Sequence, residues 1–406
     1  MVKNFLFKIA KVDSQTKARR GVIHTRAGDI QTPAFVPVAT TGVARGLDSR
    51  DLVEIGSQCA FCNTYHMHLR PGESIVAAAG GLHRFVNYDK PIFTDSGGFQ
   101  AFSLGLGREH GIGKIGFFPQ EQTTTKNNTE KKLAAVTDDG VEFVSIYDGT
   151  KEFLTPERSM QIQSALGSDI IMAFDECTSP LSDYDYTKKS IARTHAWAIR
   201  CLKSRDENQA LYGIIQGGEW EDLRVESTNF IVSQPFDGIA IGGSLGKNKI
   251  EMAKIIDWIF PLLDSRPRHM LGIGGVDDIF ECVSRGVDTM DCVAPTRNGR
   301  RASLYLSPES GGNAKNKWRI NVDGAKYKSD FGPLDSNCDC MVCKTYSRAF
   351  LRHLYTVKEY TFARLAAYHN VYFITKLFEK IRAAIDDGTF DELKKEWLGK
   401  ESSKEN

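Results

Sequence analysis

The chain has 406 residues, with 52 Lys and Arg against 51 Asp and Glu, for a formal net charge of +1 at pH 7. That balance excludes a protein coated in positive charge but leaves room for a local basic patch of the kind that binds RNA phosphates. Hydrophobic residues are 41% of the chain, enough for a sizeable core; with no apolar run of about 18 residues and no long apolar stretch after Met1, the expectation is a cytoplasmic protein with no membrane partner.

In chain order, short apolar runs alternate with amphipathic stretches. Candidate strands are Ala34–Val38, Pro91–Thr94, Asp169–Phe174, Gln209–Ile215, Phe236–Ile241, His269–Ile273 and Val287–Val293. Candidate helices are Thr155–Leu166, Lys188–Ser204, Asp222–Ser233, Lys249–Leu263 and Val276–Arg285, the first opening on Thr155-Pro156-Glu157, a good helix start. This alternation predicts an α/β fold with a parallel sheet, and so many repeats favour closure into a (β/α)8 TIM barrel. The barrel domain is expected over 1–322. It is interrupted by an insertion near 107–138, polar and rich in Gly, Thr, Asn and Lys and read as a partly disordered loop. A helical, metal-binding subdomain over 323–398 and a charged, frayed tail over 399–406 follow.

Polar residues break the apolar runs at one recurring place. Asp95 follows Ile92–Thr94, Asp175 follows Ile170–Phe174, Gln216 follows Tyr212–Ile215, and Gly242 and Gly243 follow Gly238–Ile241. Asp291 lies near the end of Val287–Val293. In a barrel the C-terminal strand ends converge on the face that carries active sites, so this placement points to an enzyme. Two carboxylates are what a retaining glycosidic displacement needs, one as nucleophile and one as acid/base, and a third Asp can read the N–H edge of a purine. The chemistry alone leaves the three roles unassigned. Soon after Asp291 comes Pro295-Thr296-Arg297-Asn298-Gly299-Arg300-Arg301, a basic loop suited to phosphate and base contacts.

There are nine cysteines. Cys338, Cys340 and Cys343 fall within six residues, and a fourth ligand from a downstream helix would complete a tetrahedral structural Zn2+ site. By chemistry alone that ligand is either His353 or His369. Cys59-Ala60-Phe61-Cys62 has the spacing of a ligand pair but no second pair beside it, and reads as small buried thiols in a core strand.

With these residues identified, the chain resembles the tRNA-guanine transglycosylases, also called queuine tRNA-ribosyltransferases, from about Phe5 to about Phe390. The motifs that carry the resemblance are Asn63-Thr64-Tyr65-His66, Thr94-Asp95-Ser96-Gly97-Gly98-Phe99-Gln100, Phe174-Asp175-Glu176-Cys177, Gly213-Ile214-Ile215-Gln216-Gly217-Gly218, Asp291-Cys292-Val293-Ala294-Pro295-Thr296-Arg297 and the cysteine cluster. The resemblance implies a (β/α)8 barrel with a C-terminal zinc subdomain. It also implies exchange of guanine at the wobble position of tRNAs with GUN anticodons (Asp, Asn, His and Tyr) for a free 7-deazaguanine base, without ATP or a redox cofactor. It makes Asp291 the nucleophile and Asp95 the general acid/base. Asp175 would read the purine N1–H and 2-amino edge, Gln216 and the Gly243 N–H the carbonyl side, and Phe99 and Leu271 would sandwich the ring. Ser96, Gly97, Gly98, Cys177, Gly242 and Gly246 complete the implied base pocket. The implied RNA-binding segments are Gly272, Ile273, Gly274, Gly275, Val276, Asp277 and Asp278, and Thr296, Arg297, Asn298, Gly299 and Arg300. The implied zinc ligands are Cys338, Cys340, Cys343 and His369.

The chain departs from the bacterial pattern at Gly246, where many bacterial members carry Val. A glycine at the pocket wall favours queuine, with its bulky cyclopentenediol, over 7-aminomethyl-7-deazaguanine. Cys177 is bacterial-like, and with Glu176 it supports a homodimer. Gly275 stands where relatives often have Lys or Thr, so one phosphate contact is expected to be lost or moved. A non-catalytic zinc RNA-binding protein is the alternative; it accounts for the cysteines and arginines but not for Asp95 and Asp291 at strand ends.

Overall fold

The computed structural model describes residues 5–102, 134–243, 245–246 and 249–399. Eight strands form a closed, all-parallel barrel: β1 (Ala34–Ala39), β2 (Ala60–Cys62), β3 (Ile92–Thr94), β4 (Ile170–Met172), β5 (Ala210–Ile215), β6 (Gly238–Ile241), β7 (Arg268–Met270) and β8 (Thr289–Cys292). Sequential neighbours pair around the ring, and β8 pairs with β1 to complete the closure. Nearly every residue of these strands is buried, because helices cover the outside and side chains fill the inside. The (β/α)8 expectation is confirmed.

Seven of the barrel strands match the sequence expectation in place, with shorter ends in several cases. Asp169–Phe174 contracts to Ile170–Met172, and Val287–Val293 to Thr289–Cys292. The eighth is β2, which holds Cys62 and ends the Cys59/Cys62 pair; both thiols are buried and free of disulfide.

The barrel interior is an apolar plug that includes Val36, Phe61, Phe93, Met172, Tyr212 and Ile214. Its lower end is closed by a three-stranded antiparallel sheet, Leu6–Val12, Arg19–Thr25 and Gly28–Thr32, which contributes Ile23 and Ile30 to the same cluster. Arg19, buried, lies against the buried Asp288 at 2.5 Å and ties this sheet to the residue just before β8. The lower end is therefore sealed, and the strands' C-terminal ends remain as the open face.

Helices pack outside. Pro156–Leu166 starts as expected, with Thr155 accepting from the Arg158 N–H. The helix expected from Lys188 begins earlier, at Tyr184, where Asp183 caps it. The stretch expected as one helix to Leu263 ends its α-helical part at Ile259 and finishes as a 3-10 turn, Phe260–Leu262. Of the expected insertion 107–138, residues 107–133 lie outside the described residues. Ala134–Val136 are a strand, paired in an antiparallel sheet with Val141–Val144 and Lys151–Leu154. The expected tail, apart from Gly399, also lies outside the described residues.

The C-terminal segment is helical, as expected, and its main element is the 28-residue helix Tyr360–Asp387. This helix packs on the barrel: Phe378 stacks on Phe35 of β1 with ring centroids 6.3 Å apart, and Arg364 pairs with the buried Asp51 at 2.6 Å. No helix among the described residues is long and apolar enough to cross a membrane.

Candidate active site and metal centre

Asp95, Asp175, Gln216, Gly242, Gly243, Leu271 and Asp291 all sit at the C-terminal ends of β3 to β8. Sequence reasoning put all of these except Leu271, which entered through the resemblance, on one face, and the barrel places the set there. The carboxylates are held by specific donors.

Asp95 directly follows β3. Its Oδ1 accepts from the backbone N–H groups of Thr64 at 2.8 Å and Gly97 at 3.1 Å, and its Oδ2 accepts from the Asn63 amide. Gly97 has φ +80°, a conformation that suits glycine and turns its N–H back onto Asp95. Burial pushes the Asp95 carboxyl up to about 7; the Thr64 and Gly97 N–H groups pull it down, and the charges of Asp291 and Asp175 add to the rise.

Asp175 follows Phe174 beyond β4. The Gln216 Nε2–H donates to its Oδ2 at 2.6 Å, and the Ser96 hydroxyl approaches its Oδ1 at 3.4 Å. Burial pushes this carboxyl up to about 6, against the pull of those two donors. Gln216 Oε1 is buried with no hydrogen-bond partner among the described residues. A Cβ on Gly243 would lie 2.2 Å from that oxygen, and one on Gly242 2.8 Å from Gln216 Nε2 and 3.5 Å from Leu271 Cδ1. The two glycines therefore let the β6 end approach the Gln216 amide. Gly98 is similarly confined, a Cβ there meeting the Asp175 carbonyl at 3.0 Å. Phe99, half-buried, lies one residue into the helix that begins at 98. Cys177 is buried, and burial pushes its thiol up to about 12.

Asp291, in β8, is 8% exposed. Its Oδ1 accepts from the Gly272 N–H at 2.9 Å and from His269 Nε2 at 3.1 Å.

Gly246 does not behave as the sequence reading requires. It is buried with φ +84°, and a Cβ there would lie 2.4 Å from Glu251 Cβ and 2.8 Å from Glu251 Oε2. Its missing side chain accommodates Glu251 and a left-handed turn, so it does not by itself widen a base pocket.

The expected RNA segments flank Asp291. Gly272 to Gly275 lead from β7 into the helix Val276–Ser284, and a Cβ on Gly274 would meet Cys292 Cβ at 2.5 Å, which holds this segment against β8. Asp277 and Asp278 pair with Lys249, the latter at 3.2 Å. The basic stretch is not a loop. Pro295 opens a short helix, Ala294–Gly299, with Arg300 at its C-cap. Arg297 and Arg300 are held below the usual arginine range, first by burial and then by other guanidinium groups, Arg45 and Arg301 among them. Arg45, from a distant loop, completes this positive cluster and carries no sequence signal.

The metal centre is built as expected from Cys338, Cys340, Cys343 and His369, whose ligand atoms lie within 4.8 Å of one another. The three sulfurs are 3.8, 3.5 and 3.4 Å from His369 Nδ1. A tetrahedral zinc with Zn–S of about 2.3 Å and Zn–N of about 2.0 Å puts sulfur and nitrogen roughly 3.5 Å apart, so the set fits one structural Zn2+. His369 Nε2 donates to the Tyr305 carbonyl at 2.9 Å, which leaves Nδ1 free to ligate. His353 is not part of the cluster.

A family model described as queuine tRNA-ribosyltransferase matches residues 13–403. A putative queuine tRNA-ribosyltransferase of Archaeoglobus fulgidus is 54% identical over 390 residues, covering 94% of this chain and 97% of the relative. Queuine tRNA-ribosyltransferases of a Roseiflexus species and of Caldanaerobacter subterraneus subsp. tengcongensis are each 44% identical, covering 97% of this chain and 99% and 97% of their own. The chain belongs to the queuine tRNA-ribosyltransferase family. As a member of that family it is a pentosyltransferase, and its Cys3His centre is consistent with the zinc site of queuine tRNA-ribosyltransferases. Three groups that hold the carboxylates were not singled out from the sequence: Asn63 and Thr64 at Asp95, and His269 at Asp291. Asn63 and Thr64 stand in a quoted motif, but only the pairing of β2 beside β3 brings them onto Asp95.

Proposed function

We propose that this enzyme exchanges guanine at the wobble position of tRNAs with GUN anticodons for a free 7-deazaguanine base, by double displacement through Asp291. The observation that carries the reading is the pair of carboxyls on one barrel face with different surroundings: burial pushes Asp95 up to about 7, while Oδ1 of Asp291 is held by the Gly272 N–H and His269 Nε2. In the first step the Asp291 carboxylate forms a bond to the ribose anomeric carbon. The bond to the guanine nitrogen breaks, its electron pair leaves with the base, and Asp95 supplies a proton. In the second step Asp95 takes a proton from the incoming base, whose nitrogen displaces Asp291, giving net retention.

In this reading Asp175 accepts from the N1–H and 2-amino group of the base. Gln216 and the Gly243 N–H meet its carbonyl side, and Phe99 and Leu271 lie against its faces. Ser96, Gly97, Gly98, Cys177 and Gly242 line the pocket. Residues 272–278, Thr296–Arg300 and Arg45 hold the anticodon arm. Queuine is the proposed base, with 7-aminomethyl-7-deazaguanine as the alternative; since position 246 faces Glu251, room for the larger substituent on this argument requires Glu251 to move. The protein is proposed to act as a cytoplasmic homodimer, and a monomer mass in gel filtration over a wide concentration range overturns the dimer.

The test uses a GUN tRNA carrying radiolabelled guanine at the wobble position, incubated with either base. Release by the wild type and none by Asp291→Ala is expected. No release with either base overturns the reading.

A further inference from the structure

His269 lies in β7 directly across from Thr289 of β8. Side chains two apart on a strand share a face, so Thr289 and Asp291 point the same way, into the barrel, and His269 joins them there. The imidazole is fully buried, and its ring stacks against Phe61 at 5.6 Å and Phe93 at 5.4 Å between centroids. Its Nδ1 is 2.9 Å from Thr289 Oγ1, and its Nε2 is 3.1 Å from Asp291 Oδ1.

A carboxylate oxygen only accepts, so the proton of this contact sits on Nε2; in the neutral ring Nδ1 is then an acceptor, and the Thr289 hydroxyl donates to it. The threonine thus fixes the tautomer and the two phenyl rings fix the plane. The Gly272 N–H, three residues on from His269 just beyond β7, reaches the same Oδ1 at 2.9 Å. Both donors converge on Oδ1, and among the described residues none reaches Oδ2.

We propose that His269, set by Thr289, is a positioning residue for the nucleophile: with the Gly272 N–H it clamps Oδ1 of Asp291 and leaves Oδ2 as the oxygen that attacks the ribose. The proposal rests on the reading of Asp291 as nucleophile. A buried histidine that merely satisfies its own hydrogen bonds would share the burial. It would not share the consequence that removing one donor changes the rate of attack without changing tRNA binding.

The experiment is single-turnover release of labelled guanine from a GUN tRNA by the purified full-length protein, with tRNA affinity and thermal unfolding measured on the same samples. His269→Phe keeps the ring stack and removes both hydrogen bonds. It is expected to slow release about 100-fold with tRNA affinity within about twofold of wild type, in the range seen when a supporting hydrogen bond to a reactive group is lost. His269→Gln restores an N–H near the Nε2 position and is expected to recover release to within about tenfold of wild type. Thr289→Val removes only the tautomer contact and is expected to cost about fivefold, as a supporting bond one step further out. If His269→Phe is insoluble, His269→Met takes its place, filling the space without a donor. Release within about threefold of wild type by the soluble donorless variant, with Asp291→Ala inert in the same assay, overturns the role of His269 alone. Release by Asp291→Ala overturns the nucleophile assignment beneath it.

Discussion

Gln216 Nε2 donates to Asp175 Oδ2 at 2.6 Å, and this contact joins the ends of β4 and β5 across the mouth of the barrel. It spends one side of the Gln216 amide on the carboxylate and leaves Oε1 without a partner among the described residues. Asp175 thus keeps an acceptor for a ligand's N–H groups, with its orientation already set. Asp175→Asn replaces that acceptor with a donor at the edge proposed to face N1–H and the 2-amino group. The expected outcome is a loss of about 100-fold in kcat/KM for the free base, the scale of a mismatched buried polar contact, with tRNA affinity unchanged. Steady-state kinetics with the base varied at saturating tRNA check it.

The same carboxyl gives a pH prediction. In the proposed role Asp175 accepts from both base N–H groups only when ionised, and burial has pushed it up to about 6. Below about pH 6 the group takes a proton and loses acceptor capacity, so KM for the base is expected to rise as pH falls through 6. The rise should be absent in Asp175→Asn. A pH profile of KM that stays flat between pH 5 and pH 8 in the wild type counts against the assignment.

As the proposed acid/base, Asp95 couples catalysis to stability in the opposite direction from an ordinary salt-bridged aspartate. Its folded value, about 7, lies above the usual 3.8. Between those values the unfolded chain has released the proton and the folded one still holds it. Stability is therefore lost as pH rises from about 4 through about 7, and is flat above. Asp95→Asn removes this term. The variant is expected to gain in unfolding temperature relative to wild type at pH 8 and to show no gain at pH 4, while its guanine release falls by a factor of about 1,000 for loss of the proton donor. Calorimetry at the two pH values checks the sign.

What the sequence made legible was set by contrast. Asp95, Asp175, Gln216 and Asp291 stand out because each interrupts an apolar run, and a closed barrel turns that one-dimensional pattern into a ring of polar groups. Cys338, Cys340 and Cys343 are visible because their spacing is short. His369 is visible by chemistry only as one of two histidines. β2, three residues long like β3, β4 and β7, showed in the sequence only as the core strand that carries the buried thiols. The basic stretch after Pro295 forms one and a half turns of helix, too short for periodicity, and so reads as a loop. His269 sits among Arg268 and Met270 with no mark of function; its partner Thr289 is 20 residues away, and only the register of β7 against β8 brings them together. Gly246 misleads for a related reason: a sequence shows that a side chain is missing but not the direction it would have taken.

That direction is itself testable. At φ +84° a side chain is strained whatever the space, and here Glu251 fills the space as well. Gly246→Val is expected to destabilise the fold by about 1–3 kcal/mol through backbone strain and overpacking together. Adding Glu251→Ala should return the overpacking part and leave the strain. Denaturant unfolding of the single and double variants measures both. If instead Gly246→Val is as stable as wild type and selectively blocks queuine, the residue lines the base pocket in solution and the size argument for queuine regains its force.

Removal of the metal should reach beyond the cysteine loop. His369 is carried by the helix Tyr360–Asp387, and its neighbour Asn370 donates to the carbonyls of Pro295 and Ser303, both at 3.0 Å. Pro295 opens the helix that bears Arg297, so the ligand helix and the basic cluster share one hydrogen-bonded junction. A Cβ on Gly299 would lie 2.9 Å from the Ala366 backbone, which shows how tightly the two helices meet. Chelation removes the tie between His369 and the cysteine loop, leaving the Tyr305 carbonyl as the hydrogen-bond partner of the ring, and Cys343→Ser weakens that tie by one ligand. The expected result is an unfolding temperature lower by on the order of 10 °C, together with weaker tRNA binding and a shallower salt dependence as the Arg297–Arg300 helix loosens. The barrel itself should persist, since Phe378 on Phe35 and Arg364 on Asp51 hold the rest of the long helix in place. Full loss of tRNA binding with an unchanged unfolding temperature goes against this coupling and makes the metal a direct part of the RNA surface.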